Sequence, residues 1–152
     1  MRILITVFSF LFVSTSWSQQ YFYKLYSGNS FDKGEDIIET VDSSYIVTGS
    51  SGSWGENSQA FLMKIDSLGN YVWSHAYGGA ESEEVVTVLE RPGSGFYLAG
   101  MSNSFSQGNF DAMLIKTDGN GNQEWMKTYE SSAWERINDA VMTKDTGIVM
   151  VG

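Results

Sequence analysis

Short runs of apolar, aromatic and β-branched residues, each broken by clusters of Gly, Asn, Asp and Ser, succeed one another along the chain. No stretch of helical period reaches a usual helix length. Between residues 85 and 129 four such runs stand out, at 85–89, 95–100, 112–117 and 123–129. They predict four short strands and an all-β fold. The segments Asp66-Ser67-Leu68-Gly69-Asn70 and Asp118-Gly119-Asn120-Gly121-Asn122 suit tight hairpin turns, because Asp caps the turn and Gly or Asn accepts a positive φ.

Laid on itself, the chain repeats. Tyr26, Tyr77 and Tyr129 recur at spacings of 51 and 52 residues, as do Gly49, Gly100 and Gly152. In the same frame Phe22, Trp73 and Trp125 correspond, and so do Tyr45, Phe96 and Ile148. Residues 60–66 match 112–118, and 36–42 align with 139–145 without a gap. The one-residue difference in period falls in the polar loop after the glycine, where repeated supersecondary units tolerate length change.

A period near 50 residues with four strands per unit is the signature of a β-propeller blade, since leucine-rich and hexapeptide solenoids repeat at less than about 30 residues. The expected organisation is an N-terminal strand and loop at 19–34, blades at 35–77 and 84–129, and a partial blade at 136–152. Residues 21–26 read as a spare fourth strand of the kind that closes a permuted ring. About two and a half blades cannot close a ring of four to eight, so the chain is expected to be a fragment of a longer protein. The apolar strand at 147–151 is expected to offer an unpaired edge and so to promote self-association.

Composition narrows the chemistry. There is no cysteine, which excludes disulfides, thiolate metal sites and a cysteine nucleophile. Residues 1–18 hold one positive charge, an apolar run of about 11 residues and small residues at Ser16 and Ser18, which predicts a cleaved export leader. That run falls short of the roughly 20 residues that span hydrocarbon. Removing the leader takes Arg2 from the 9 basic side chains and none of the 18 acidic ones, so the mature net charge is −10. Such a surface repels a nucleic-acid backbone. The expected location is secreted or at the cell surface.

Three segments carry a resemblance to a known group: residues 45–49, residues 60–73 with Lys64, Asp66, Gly69, Asn70 and Trp73, and Tyr77-Gly78-Gly79. With their echoes through Asn122 and Trp125 they resemble the secreted β-propeller repeats abundant in the Bacteroidetes phylum. The likeness covers nearly all of residues 21–152. It implies architecture and export, commonly through the type IX secretion system with a C-terminal sorting domain, and it assigns no activity. Residues 64–73 and 116–125 are more loosely similar to the tryptophan-docking motif of pyrroloquinoline-quinone dehydrogenases, which implies a packing role for the Trp. Fold likeness alone carries no reaction, and the reading is non-enzymatic.

Candidate sites follow from the loops. Trp54 and Phe105 correspond within polar loops, and with Asn57, Asn103 and Asn109 they could stack on a glycan ring or anchor a protein partner. Asp118, Asn120, Asn122 and Glu124 stand at positions 1, 3, 5 and 7 of a calcium-type loop, the one cofactor to consider. The glycine of position 6 and the glutamate of position 12 are missing, and a hairpin turn fits better. His75, the sole histidine, alternates in phase with Trp73 and Tyr77 and suggests a packed ring. Glu81, Glu83 and Glu84 have counterparts Ser30, Asp32 and Lys33, and Ala133, Glu135 and Arg136, and read as a solvated loop. The repeated aromatics and glycines are expected to pack the units together.

Overall fold

A computed structural model of the chain describes residues 21–91, 93–105, 109–129 and 133–152. The predicted leader at 1–18 lies outside the described residues. All regular structure described is β. Strands β1 (Asp32–Glu39), β2 (Tyr45–Ser51), β3 (Gln59–Ile65) and β4 (Tyr71–Tyr77) form a first antiparallel sheet in chain order. Strands β5 (Glu83–Arg91), β6 (Gly95–Ser102), β7 (Asp111–Thr117) and β8 (Gln123–Tyr129) repeat that sheet, and β9 (Asp139–Met142) pairs with β10 (Ile148–Val151). No helix among the described residues is long and apolar enough to cross a membrane.

Alternation within the strands gives the second sheet two buried faces. Ile46, Ala60 and Leu62 of the first sheet pack against Val85, Val88, Phe96, Leu98, Met113 and Ile115 of the second. The opposite face of the second sheet, through Ala99, Ala112 and Leu114, packs against Ile137, Ala140, Ile148 and Met150. Each large apolar side chain buried in this way contributes about 1.5–3 kcal/mol. Strictly apolar positions on both faces are what a sheet sandwiched between neighbours requires.

The repeated glycines have a single physical cause. A Cβ on Gly49 would stand 1.9 Å from the Lys33 carbonyl oxygen, one on Gly100 1.9 Å from that of Glu84, and one on Gly152 1.8 Å from that of Arg136. In the first two sheets the register shifts nearby, between Gly34 and Asp36 and between Val85 and Thr87, so a bulge pushes the carbonyl toward the facing strand.

The repeated aromatics lock successive units together. Tyr77 Oη donates to the Gly121 carbonyl at 2.6 Å, and Tyr26 Oη to the Gly69 carbonyl at 2.5 Å. Both glycines have positive φ, +72° at Gly69 and +82° at Gly121, and each lies against an aromatic side chain, Phe22 in one case and Trp73 with His75 in the other. Burial holds the Tyr77 hydroxyl well above its ordinary pKa, with Asp118 adding to the shift, so it remains a donor. Trp125 packs 6.0 Å from Tyr97, half-buried against the third unit. Tyr129, the third member, is 45% exposed.

One expectation is corrected. Residues 21–26 form no strand. No strand among the described residues lies beside them to exchange ladder bonds, so only the side chains keep the repeat: Phe22 sits 6.1 Å from Tyr45, and Tyr26 makes its bond to Gly69.

The hairpin turns explain the Asp-x-x-Gly-Asn pattern. Asp66 Oδ1 accepts from the backbone N–H of Leu68 at 2.9 Å and Asn70 at 2.7 Å, and Asp118 Oδ1 accepts from those of Asn120 at 2.9 Å and Asn122 at 2.8 Å. Hydrogen bonds from Asn70 and Asn122 hold these carboxyls below the usual range of 3.8. A depressed folded-state pKa stabilises the fold above the unfolded value and loses that contribution as pH falls through the folded one. The Asp66→Asn, Asp118→Asn double variant should therefore show a shallower loss of stability between about pH 5 and pH 2 than the wild type, read from urea midpoints. An unchanged acid slope would count against these bonds.

Candidate functional site

The start of each first strand, the connection 78–82, the loop 52–58 and residues 103–105 and 109–110 lie at one end of the stacked sheets. Two acid-and-serine networks organise that end. Glu83, 1% exposed, accepts from Ser102 Oγ at 2.7 Å and the Ser104 N–H at 3.3 Å through one oxygen, and from the Gly79 N–H at 3.0 Å through the other. Asp32 repeats the arrangement with Ser51 Oγ, Ser53 Oγ and the Gly28 N–H, and the Ser51 hydrogen bond leads in lowering its pKa. In the third unit the Glu135 N–H donates to the Phe110 carbonyl at 2.8 Å, as the Glu83 N–H does to that of Ser58.

The solvated-loop expectation for Glu83 is thus overturned. The side chain is buried because three donors, from the end of β6, the loop after it and the linker before Glu83, converge on it, which offsets the cost of removing a carboxylate from water. An acid at 32, 83 and 135 was the available signal, hidden by the change from Asp to Glu.

Beside this network, one residue further along each unit, Lys33, Glu84 and Arg136 alternate in sign. Lys33 Nζ pairs with Glu35 and, at 2.8 Å, with Glu84. Glu35 and Glu84 share a hydrogen bond that raises the first carboxyl and lowers the second. Burial adds to the rise at Glu35, while Lys33 and Arg136 favour the ionised Glu84. Sequence spacing alone did not bring these charges together, because the contact joins two different sheets.

Trp54 and Phe105 take equivalent places at this end and remain 47% and 45% exposed. The Trp54 ring meets Phe61 edge-on at 5.7 Å, and the Phe105 ring lies beside Gly79. Both rings are therefore anchored on one side and open on the other. Asn57 Nδ2 donates to the Ala80 carbonyl at 2.8 Å, and the Asn103 N–H to that of Ser82 at 2.9 Å, so these two hold the linker. Asn109 is exposed and also has an interaction partner.

The four residues of the calcium-type loop are not gathered around one point by their charges. The Asp118 carboxylate is taken by its own turn, with Asn122 Nδ2 on its second oxygen at 2.9 Å, and Glu124 pairs with Lys116 at 2.6 Å. Asn120 and Asn122 are exposed on the turn. Among the described residues, no three His, Cys, Asp or Glu side chains converge as metal ligands would. His75 is half-buried between Trp73, at 5.4 Å, and Tyr77, at 6.4 Å, as its phase suggests.

The chain matches no family model and no curated protein.

Proposed function

We propose that the chain is an exported, non-enzymatic repeat scaffold of the β-propeller type, whose sheets are successive blades and whose loop end binds a protein or glycan partner. The blade reading is supported by three contacts that recur at the repeat spacing: glycine under a bulged carbonyl, tyrosine on the next unit's turn, and acid on two loop serines. The observation that carries the binding reading is the pair Trp54 and Phe105, at corresponding positions on one end of the molecule and each about half exposed, 47% and 45%. Aromatic rings held rigid on one face lose little entropy when the other face is covered, which is why they dominate binding hot spots.

A glycan array and a pull-down from culture medium, run with the wild type and the Trp54→Ala, Phe105→Ala double variant, test the site. The expected result is a loss of affinity of about tenfold or more, equal to about 1.4 kcal/mol, with an unchanged circular-dichroism spectrum. Binding undiminished in the folded variant overturns the site. A wild type that captures nothing in either assay favours a structural spacer.

A further inference from the structure

An asparagine with a free side-chain amide, followed by glycine, is among the least durable peptide units in water. The glycine nitrogen, unhindered by a side chain, reaches the asparagine Cγ and closes a five-membered ring. The chain holds this pair once, at Asn120-Gly121. It sits in the turn between β7 and β8, where Gly121 lies against Trp73 and His75 of the first unit.

The structure sets Asn120 apart from other asparagines. Asn122 Nδ2 donates to Asp118 Oδ2 at 2.9 Å, Asn70 Nδ2 to Asp66 Oδ2 at 2.9 Å and Asn57 Nδ2 to the Ala80 carbonyl at 2.8 Å, so these amides are tied down. The Asn120 side chain is exposed and tied to none of the described residues, while its backbone N–H donates to Asp118 Oδ1 at 2.9 Å. The Gly121 N–H reaches the Asp118 carbonyl at 3.1 Å, against 2.9 Å for the bond from the Asp118 N–H to the Asn122 carbonyl. The tip itself is open, with nothing within 4 Å of where a Cβ on Gly119 would stand.

We infer that Asn120 is a site of spontaneous covalent modification, and that the change loosens the lock between the first and second units. The Gly121 nitrogen gives up its proton to water and attacks Asn120 Cγ. A C–N bond forms, the Cγ–Nδ2 bond breaks, and Nδ2 leaves as ammonia after taking a proton from water. Water then opens the cyclic imide at either carbonyl and leaves aspartate or isoaspartate at position 120. Asp118 is the brake. While it accepts from the Asn120 and Asn122 N–H groups the turn stays closed, with the Gly121 N–H spent on the Asp118 carbonyl. The reaction therefore runs through the opened turn, and its rate follows how often these bonds break.

The product meets a junction with no slack. The Gly121 carbonyl accepts from Tyr77 Oη at 2.6 Å, and a Cβ on Gly121 would stand 2.7 Å from His75 Cδ2 and 2.8 Å from Trp73 Cζ3. Isoaspartate lengthens the main chain by a methylene just before that glycine, and either product adds a negative charge beside Asp118. Displacing the carbonyl strands the hydroxyl of a tyrosine only 4% exposed, a costly state for a buried donor. The matching lock is immune: Tyr26 bonds the Gly69 carbonyl, and Leu68 stands where Asn120 does.

The test holds the full chain in warm, mildly alkaline buffer, with peptide mass spectrometry to locate each acid formed and an isoaspartate-specific methyltransferase to count the rearranged product. Acid is expected at position 120 before any other asparagine. The modified protein, separated by anion exchange, should unfold at a lower urea concentration than the unmodified one. Asn120→Gln closes a disfavoured six-membered ring and should keep its urea midpoint through the same incubation. Asp118→Ser, with Asp118→Ala as the stronger change and circular dichroism to check both folds, should react about fivefold faster, the gain in open turn that one net hydrogen bond represents. A position 120 that stays intact in the folded chain, while it converts in the same chain held in urea, overturns the site, as does faster conversion at another asparagine. A modified protein as stable as the unmodified one overturns the effect on the lock, and Asp118 variants that react no faster overturn the brake.

Discussion

Gly100→Ala is expected to destabilise the chain by about 3 kcal/mol, the upper part of the range for forcing an atom into a packed interior. The new Cβ would lie 1.9 Å from the Glu84 carbonyl oxygen, 2.7 Å from Val85 Cα and 2.9 Å from the Glu84 carbonyl carbon. All three are backbone atoms, so no side-chain rotation relieves the clash. Relief requires β5 to give up its bulge, which would move Glu83 and Glu84 and disturb both networks at the loop end. For a chain of this size the loss corresponds to roughly 10 °C in Tm. Gly119 has nothing within 4 Å of its ideal Cβ, and Gly119→Ala should stay within about 0.5 kcal/mol of the wild type. Equal stability of the Gly100 and Gly119 variants in urea would show that the bulged carbonyl does not face Gly100.

The second large effect is expected at Glu83. Glu83→Ala removes the acceptor of three donors in a site only 1% exposed, leaving Ser102 Oγ and two backbone N–H groups without it. A buried donor stranded in this way costs about 1–3 kcal/mol, and bonds to a charged acceptor lie at the upper end of the scale. Because the three share one carboxylate, their losses are not additive, and the whole loss is about 3 kcal/mol rather than the sum of three such costs. Glu81, two residues earlier and exposed, provides the comparison: Glu81→Ala should change stability by less than about 0.5 kcal/mol. Equal, small losses at both positions would return Glu83 to the surface. Guanidinium unfolding monitored by tryptophan fluorescence separates the outcomes.

These two positions also show how far sequence carries. Gly49, Gly100 and Gly152 were legible because a backbone clash admits one residue type only, so the constraint is written as identity. The Asp66 and Asp118 turns were legible for the same reason: the geometry needs an acceptor, a left-handed residue and an Asn at fixed offsets. Asp32 and Glu83 obey a looser constraint, a carboxylate within reach of two loop serines, which either acid length meets. Variation there looked like freedom. The pairing of Lys33 with Glu84 is a contact between sheets, and periodicity within one unit holds no information about which charges meet across an interface. Residues 21–26 show the reverse failure. Their place in the repeat fits a strand, but a strand needs a neighbour, and that requirement is not a property of the segment itself.

Trp54 was legible as a special position and not as a settled one. The sequence placed an aromatic in a polar loop, and the structure divides the ring between packing on Phe61 and exposure at 47%. That division depends on where β3 presents Phe61, which the loop sequence does not encode.

The chain-order arrangement of both sheets has a consequence for how the molecule assembles in time. Every ladder within a sheet joins strands that are consecutive in the chain, so each hairpin closes a short loop at small entropic cost, on the microsecond scale of isolated hairpins. The tyrosine bonds between units join residues 43 and 44 positions apart and belong to a later, slower docking step. Each unit can thus acquire its strand order before it has a neighbour, and the aromatic on its last strand then selects the turn that follows. Assembly proceeds as a succession of local decisions, each checked by one long-range contact.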